Sequence, residues 1–155
     1  ELGWNAARRG DALAAAFGNP PERGVLVHYP PNDIGAAIAS GSFRCQGMAI
    51  VPCSMGTLAA IAAGAADNLL TRAAGVALKE GRPLIIVPRE TPLSAIHLEN
   101  MLKLARLGVR VIPAMPAFYT RPRELMDVVR FMVGKVLDQM GVDHDLYPRW
   151  GEAHE

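Results

Sequence analysis

The sequence predicts an α/β protein in which helices cover both faces of a parallel sheet. Three short apolar runs, at residues 48–52, 84–88 and 109–113, are rich in β-branched residues and mostly lack polar alternation. Each stops at a proline, as strands buried on both faces do. Helical patterns separate the runs, and strands that alternate with helices pair in parallel through right-handed crossovers. The residues that follow the runs are the richest in chemistry, and ligands of open α/β sheets bind at the carboxyl ends of the strands.

Taken in order, residues 5–17 are Ala-rich and predicted helical, with Gly10 as a weak point. A strand is predicted over 24–28, then Pro30-Pro31 and a short helix over 34–40 capped by Asp33. After the first apolar run come helices over 56–66 and 67–80, the second with Asp67 as cap and Gly81 as its end. After the second run, Leu98, Met101, Leu102 and Ala105 keep helical spacing, Glu99 and Lys103 stand as an i, i+4 pair, and Gly108 closes the helix. After the third, Leu125, Val128, Val129, Met132, Val136 and Met140 make one apolar stripe. The tail from residue 141 to 155 turns polar and aromatic, and is expected to fray or to dock on a neighbouring subunit.

Composition narrows the class. A chain of 155 residues, half apolar and one fifth charged, can bury a core as one domain. Sixteen Lys and Arg stand against 15 Asp and Glu, a balance that offers nucleic acid or an anionic membrane no electrostatic footprint. The uncharged stretch 45–66 is long enough to span a bilayer, but Pro52 and three glycines interrupt it, so it reads as a buried strand turning into a buried helix. Two cysteines, Cys45 and Cys53, build neither a disulfide framework nor a four-ligand metal site, and a reducing compartment, the cytoplasm, is expected. His28, His97, His144 and His154 lack metal-ligand spacing, so no bound metal is expected. Neither a G-x-G-x-x-G loop nor a phosphate-binding P-loop occurs.

Candidate chemistry gathers at the predicted carboxyl edge. Ser54 and Thr57, with Gly56 between them, sit where the first strand becomes a helix. They either cap that helix or offer hydroxyls and free N–H groups to an anion or the polar edge of a ring. Arg89-Glu90 follows a fully apolar strand; it is either a structural ion pair or an Arg that holds a ligand beside a Glu that moves a proton. Arg72, Lys79, Tyr119 and Lys135 can supply cations and a phenol to a phosphate ester, or lie on the surface, Lys79 as a cation complementing a helix end.

Five ordered blocks then carry a resemblance. They are residues 33–43, beginning Asp33-Ile34-Gly35; residues 52–62, beginning Pro52-Cys53-Ser54-Met55-Gly56-Thr57; residues 67–74, beginning Asp67-Asn68-Leu69-Leu70; residues 88–93 with 97–102, containing Arg89-Glu90-Thr91; and Pro116-Ala117-Phe118-Tyr119. From about Asp33 to its carboxyl end the chain resembles the UbiX-type flavin prenyltransferases.

The resemblance implies a three-layer, flavodoxin-like or Rossmann-like subunit of a homo-oligomer, a dodecamer in the family, that takes reduced FMN and dimethylallyl monophosphate without a metal. It implies a transferase that joins the prenyl group to flavin N5 and C6, closing a fourth ring, with prenylated FMN passing to UbiD-type decarboxylases. By position, Ser54, Met55, Gly56 and Thr57 match the FMN-contacting loop and Arg89 the flavin-binding arginine. Lys79, Glu90 and Tyr119 match residues around the prenyl phosphate, with Glu90 as proton relay, and Arg72 and Trp150 match positions near the site. Lys135 stands where the family often has arginine, so the charge is kept and the bidentate fork lost.

The family's first strand, its glycine-rich phosphate loop and its first helix do not appear in the sequence. The 155 residues are therefore expected to be the carboxyl-terminal part of one flavoprotein domain. Two other readings stand beside this one: the related flavoprotein cysteine decarboxylases, and a non-catalytic FMN-binding or assembly subunit.

Overall fold

The apolar runs pair as the sequence predicts. In the computed structural model, which describes residues 27–149, β1 (Met48–Cys53), β2 (Leu84–Pro88) and β3 (Arg110–Val111) form a parallel sheet in the order β1-β2-β3. All of β2 is buried, which explains its unbroken apolar sequence: each such side chain removed from water contributes about 1.5–3 kcal/mol. β3 is shorter than the predicted run, yet its pairing continues beyond Val111. The Ile112 N–H donates to the Ile86 carbonyl and the Ala114 N–H to the Pro88 carbonyl, both at 2.9 Å.

β1 is an edge strand among the described residues, and it is irregular. Met48, Ala49 and Ile50 face Leu84, Ile85 and Ile86, after which the register slips and Cys53 faces Pro88. One extra residue is thereby accommodated in β1, so Val51 and Pro52 both stay outside while Cys53 turns back into the core. The bulge sets the direction in which the chain leaves the sheet at Ser54.

Four helices follow: α1 (Met55–Ala63), α2 (Leu69–Lys79), α3 (Ala95–Arg106) and α4 (Leu125–Met140). α1 stops short of its predicted end because Gly64 takes a left-handed conformation, φ 75°. α2 is capped by Asn68, not Asp67. The Thr71 N–H donates to Asn68 Oδ1 at 3.0 Å and the Asn68 N–H to Thr71 Oγ1 at 3.3 Å. Asp67 and Asn68 cap equally well by type, and the hydroxyl three residues beyond Asn68 decides between them. α3 starts earlier than predicted through a reciprocal pair in which the His97 N–H donates to Ser94 Oγ and the Ser94 N–H to His97 Nδ1, both at 3.3 Å. Glu99 and Lys103 form no ion pair, as expected of exposed charges whose pairing is worth only a few tenths of a kcal/mol.

Other expectations need correction. The helix predicted over 34–40 is a single 3-10 turn, Ala37–Ala39, without a side-chain cap. The Asp33 main-chain carbonyl, not its carboxylate, receives the Ala36 N–H at 3.1 Å. Val27 and His28 carry no strand; the rest of 24–28 and the helix over 5–17 lie outside the described residues. The fold divides at Pro30, and everything from β1 onward belongs to the second unit, residues 31–155.

Leu58, Leu84, Ile85, Ile86, Leu104 and Cys53 are fully buried, and the core lies where β1 and β2 meet α1, α2 and α3. The stripe of α4 is only partly covered: none of its six residues is fully buried and Leu125 is 78% exposed, whereas Phe131 and Gly134 of this helix are enclosed. No helix among the described residues is long and apolar enough to cross a membrane.

Candidate functional site

Ser54 is the hinge between β1 and α1. Its Oγ accepts the Thr57 N–H at 3.1 Å and bonds Thr57 Oγ1 at 2.9 Å, so the two hydroxyls serve the cap and each other. The Met55 side chain packs into the core. Met55 and Gly56 occupy the first two helical positions, whose N–H groups have no partner within a helix. A Cβ on Gly56 would meet only Ser54 Oγ, at 3.9 Å, so it would project into the open space in front of those donors. The junction therefore offers main-chain N–H groups at the positive end of a helix, in a place where a ligand can come close.

At the end of β2, Arg89 and Glu90 do not pair with each other. Glu90 Oε1 instead accepts the Thr91 N–H at 3.0 Å, which fixes the carboxylate at the sheet edge. Arg89 is exposed and forms no ion pair among the described residues. Both line a pocket of about 70 Å³ with Thr91, Leu93, Met101 and Ala114. A wider cleft of about 510 Å³ runs between β3 and α4, past Val111, Phe131, Met132 and Lys135. Pro113 and Met115 line both, so the two pockets are neighbours.

Tyr119 stands beyond β3 with its ring edge-on to Phe131, centroids 6.3 Å apart. Lys135, one turn after Phe131 on α4, has its Nζ 5.8 Å from the Tyr147 ring centroid and 3.9 Å from Asp138 Oδ2. Phe131 and Lys135 thus share one side of the cleft, and Tyr119 packs against Phe131 beside it. Trp150 lies outside the described residues.

One candidate, Lys79, is not brought to this edge. Lys79 ends α2, just before the turn into Leu84, and Leu84 opens β2 at the amino end of the sheet. Its Nζ pairs with Glu80 Oε1 at 2.9 Å, and the lysine contact holds the Glu80 carboxyl below its usual range. Arg72, seven residues earlier, lies two turns away on the same exposed side of α2. The fold separates Lys79 from Glu90 within one chain.

One cluster escaped sequence reasoning. Asp138 on α4 receives the Tyr147 hydroxyl at 2.5 Å, His144 Nε2 at 3.1 Å and Arg149 Nη2 at 3.0 Å. The Tyr147 hydrogen bond holds the Asp138 carboxyl below the usual carboxylate range. Burial, then the same bond, pushes the Tyr147 phenol up to about 12. Burial also raises the Cys53 thiol to about 11, so this cysteine is a core residue rather than a nucleophile. The only available signal for the cluster was Gly134, where a Cβ would come within 2.5 Å of the Tyr147 ring.

Comparison with known proteins accords with this geometry. The Flavoprotein family model matches residues 31–137. The flavin prenyltransferase UbiX of Halalkalibacterium halodurans is 59% identical over 132 residues, 85% of this chain and 64% of that protein, so the chain spans less than two thirds of this relative's length. A UbiX crystallised in complex with FMN and dimethylallyl pyrophosphate superimposes with a TM-score of 0.79 at 47% identity, covering 81% of this chain and 67% of that one. A dodecameric FMN-dependent UbiX-like decarboxylase from Escherichia coli O157:H7 superimposes with a TM-score of 0.82 at 49% identity, covering 98% of this chain and 76% of that one. The α/β subunit is flavodoxin-like, as in these relatives, and the chain belongs to the flavoprotein family, among its UbiX-type flavin prenyltransferases.

Proposed function

We propose that the whole protein transfers a dimethylallyl group from dimethylallyl monophosphate to reduced FMN, and that the prenylated FMN serves a UbiD-type decarboxylase. The observation that carries this reading is the uncommitted state of Arg89 beside a fixed Glu90. A structural ion pair would have consumed both charges, whereas here a cation and a carboxylate face the same edge.

The residues present fit the flavin. Arg89 and the Met55 and Gly56 N–H groups are donors suited to its anionic and carbonyl positions, and the missing side chain of Gly56 leaves room for it. When bound, the reduced flavin supplies the electron-rich nucleophile. Lys135 and Tyr119 stabilise the charge that develops on the departing phosphate. Glu90 accepts the proton that leaves as the second bond closes the ring. Trp150 is assigned to the same substrate by resemblance alone.

Arg72 and Lys79 reach such a site from a neighbouring copy, because their own chain holds Lys79 at the opposite end of the sheet. The exposed apolar side of α4 supports a homo-oligomer, and the similar Escherichia coli protein is dodecameric. The tail, residues 141–155, is assigned to that assembly. Among the described residues the outer edge of β1 is unpaired. That edge supports an upstream strand, with the glycine-rich phosphate loop after it, that pairs along residues 48–50. The free thiols of Cys45 and Cys53 suit the cytoplasm.

The deciding experiment incubates the intact protein anaerobically with reduced FMN and dimethylallyl monophosphate and weighs the extracted flavin. A gain of one C5H8 unit is expected. Unchanged FMN that remains tightly bound would replace prenyl transfer with a binding role.

A further inference from the structure

The tail beyond α4 is fastened to that helix at a single carboxylate. Asp138 Oδ2 accepts the Tyr147 hydroxyl, and Oδ1 accepts His144 Nε2 and Arg149 Nη2. His144 Nδ1 accepts the Leu146 N–H at 3.2 Å, so the imidazole proton belongs on Nε2, where it donates to Asp138. The Tyr147 ring lies against Phe131, centroids 5.0 Å apart, and Phe131 meets Tyr119. Lys135 extends alongside, 3.9 Å from Asp138 Oδ2 and over the Tyr147 ring.

The order of these distances matters. Three nearer donors occupy the Asp138 carboxylate, so Lys135 is steered by it without being neutralised, and its side chain stays 43% exposed towards the cleft. Without the Tyr147 hydroxyl, Oδ2 loses its own donor, and Lys135, whose Nζ already stands 3.9 Å from that oxygen while His144 and Arg149 are engaged at Oδ1, is placed to take it over. The ammonium would close on Asp138 and draw back from any anion in the cleft.

We propose that Tyr147 and Asp138 are positioning residues for the prenyl phosphate: the Tyr147 hydroxyl occupies Asp138 and so keeps Lys135 available to the substrate anion. This rests on the function proposed above and adds how Lys135, one of its phosphate ligands, is kept ready. Neither Tyr147 nor Asp138 touches the substrate.

The test is a double-mutant cycle on the intact protein with oxidised FMN bound, so that calorimetry reads dimethylallyl monophosphate binding without turnover. Tyr147→Phe keeps the ring stack and is expected to weaken binding about tenfold, with FMN affinity unchanged. Adding Asp138→Asn removes the charge that captures Lys135, and binding is expected to return to within about threefold of the parent. A merely structural role gives the opposite, because the double variant loses more contacts and binds worse than the single. Unchanged affinity in Tyr147→Phe, a double variant weaker than the single, or a parent that binds no dimethylallyl monophosphate would each overturn the proposal. Substrate binding without any gain in flavin mass would instead overturn prenyl transfer and leave the positioning role intact.

Discussion

Arg89→Ala separates function from stability in a way the structure makes quantitative. Arg89 is exposed and forms no ion pair among the described residues, so its truncation removes a solvated cation and leaves no buried partner behind. The folded state is expected to change by no more than about 0.5 kcal/mol. Binding is another matter, because a charge-assisted hydrogen bond to the flavin is worth about 1.5–3 kcal/mol, or roughly 10- to 150-fold in affinity. The open position of Arg89 favours the lower part of that range, about 10- to 50-fold. Arg89→Lys keeps the charge without the fork and should fall between parent and alanine variant. Fluorescence titration of FMN against the intact protein measures the affinity, and a denaturant melt of the same preparation measures stability. FMN affinity within twofold of the parent, or a stability loss above about 1 kcal/mol, would refute the assignment of Arg89 to the ligand rather than to the fold.

Other expectations follow from the same geometry. Glu90→Gln keeps the carbonyl oxygen that can accept the Thr91 N–H and removes the base, so FMN binding should persist while prenylated product forms at least about tenfold more slowly in single-turnover assays. Leu104→Ala empties a fully buried position between α3 and the sheet, and should cost about 2–5 kcal/mol by denaturant melt without a specific effect on FMN. The tail should respond to pH at both extremes. Tyr147, raised to about 12, stabilises the fold fully below the free-phenol value near 10 and loses that contribution as pH climbs through 12. Asp138, lowered by its hydrogen bonds, contributes above about 4 and loses its contribution as pH falls through its depressed value. Ultraviolet titration of the phenol and amide exchange in the tail at the two limits check this; a phenol that titrates near 10 would contradict it.

The strands were legible because Leu84 to Val87 is apolar without interruption, a pattern that only a doubly covered strand of that length requires. The edge chemistry was legible for the same reason, since a parallel sheet delivers Ser54 and Arg89 to one end wherever its strands stop. Cap identity was not, because Asp67 and Asn68 have equal intrinsic merit and the decision fell to Thr71. Helical periodicity located α4 and its apolar stripe but not how far that stripe is covered, because a pattern says which residues share a face and nothing of what lies opposite. The Asp138 cluster joins residues six, nine and eleven apart across a turn, a spacing that belongs to no regular element, so it surfaced only in three dimensions. The separation of Lys79 from Glu90 was hidden likewise: eleven residues apart in sequence, they are parted by the full length of β2.

The bulge in β1 bears on how copies of this domain meet. It puts Pro52, a residue with no N–H to give, on the outward stretch of an edge strand and bends the backbone there. An incoming strand can align with residues 48–50 and then loses both its donor and its straight template. Whatever strand pairs there, from upstream in this protein or from another copy, is thus limited to the stretch before the bulge.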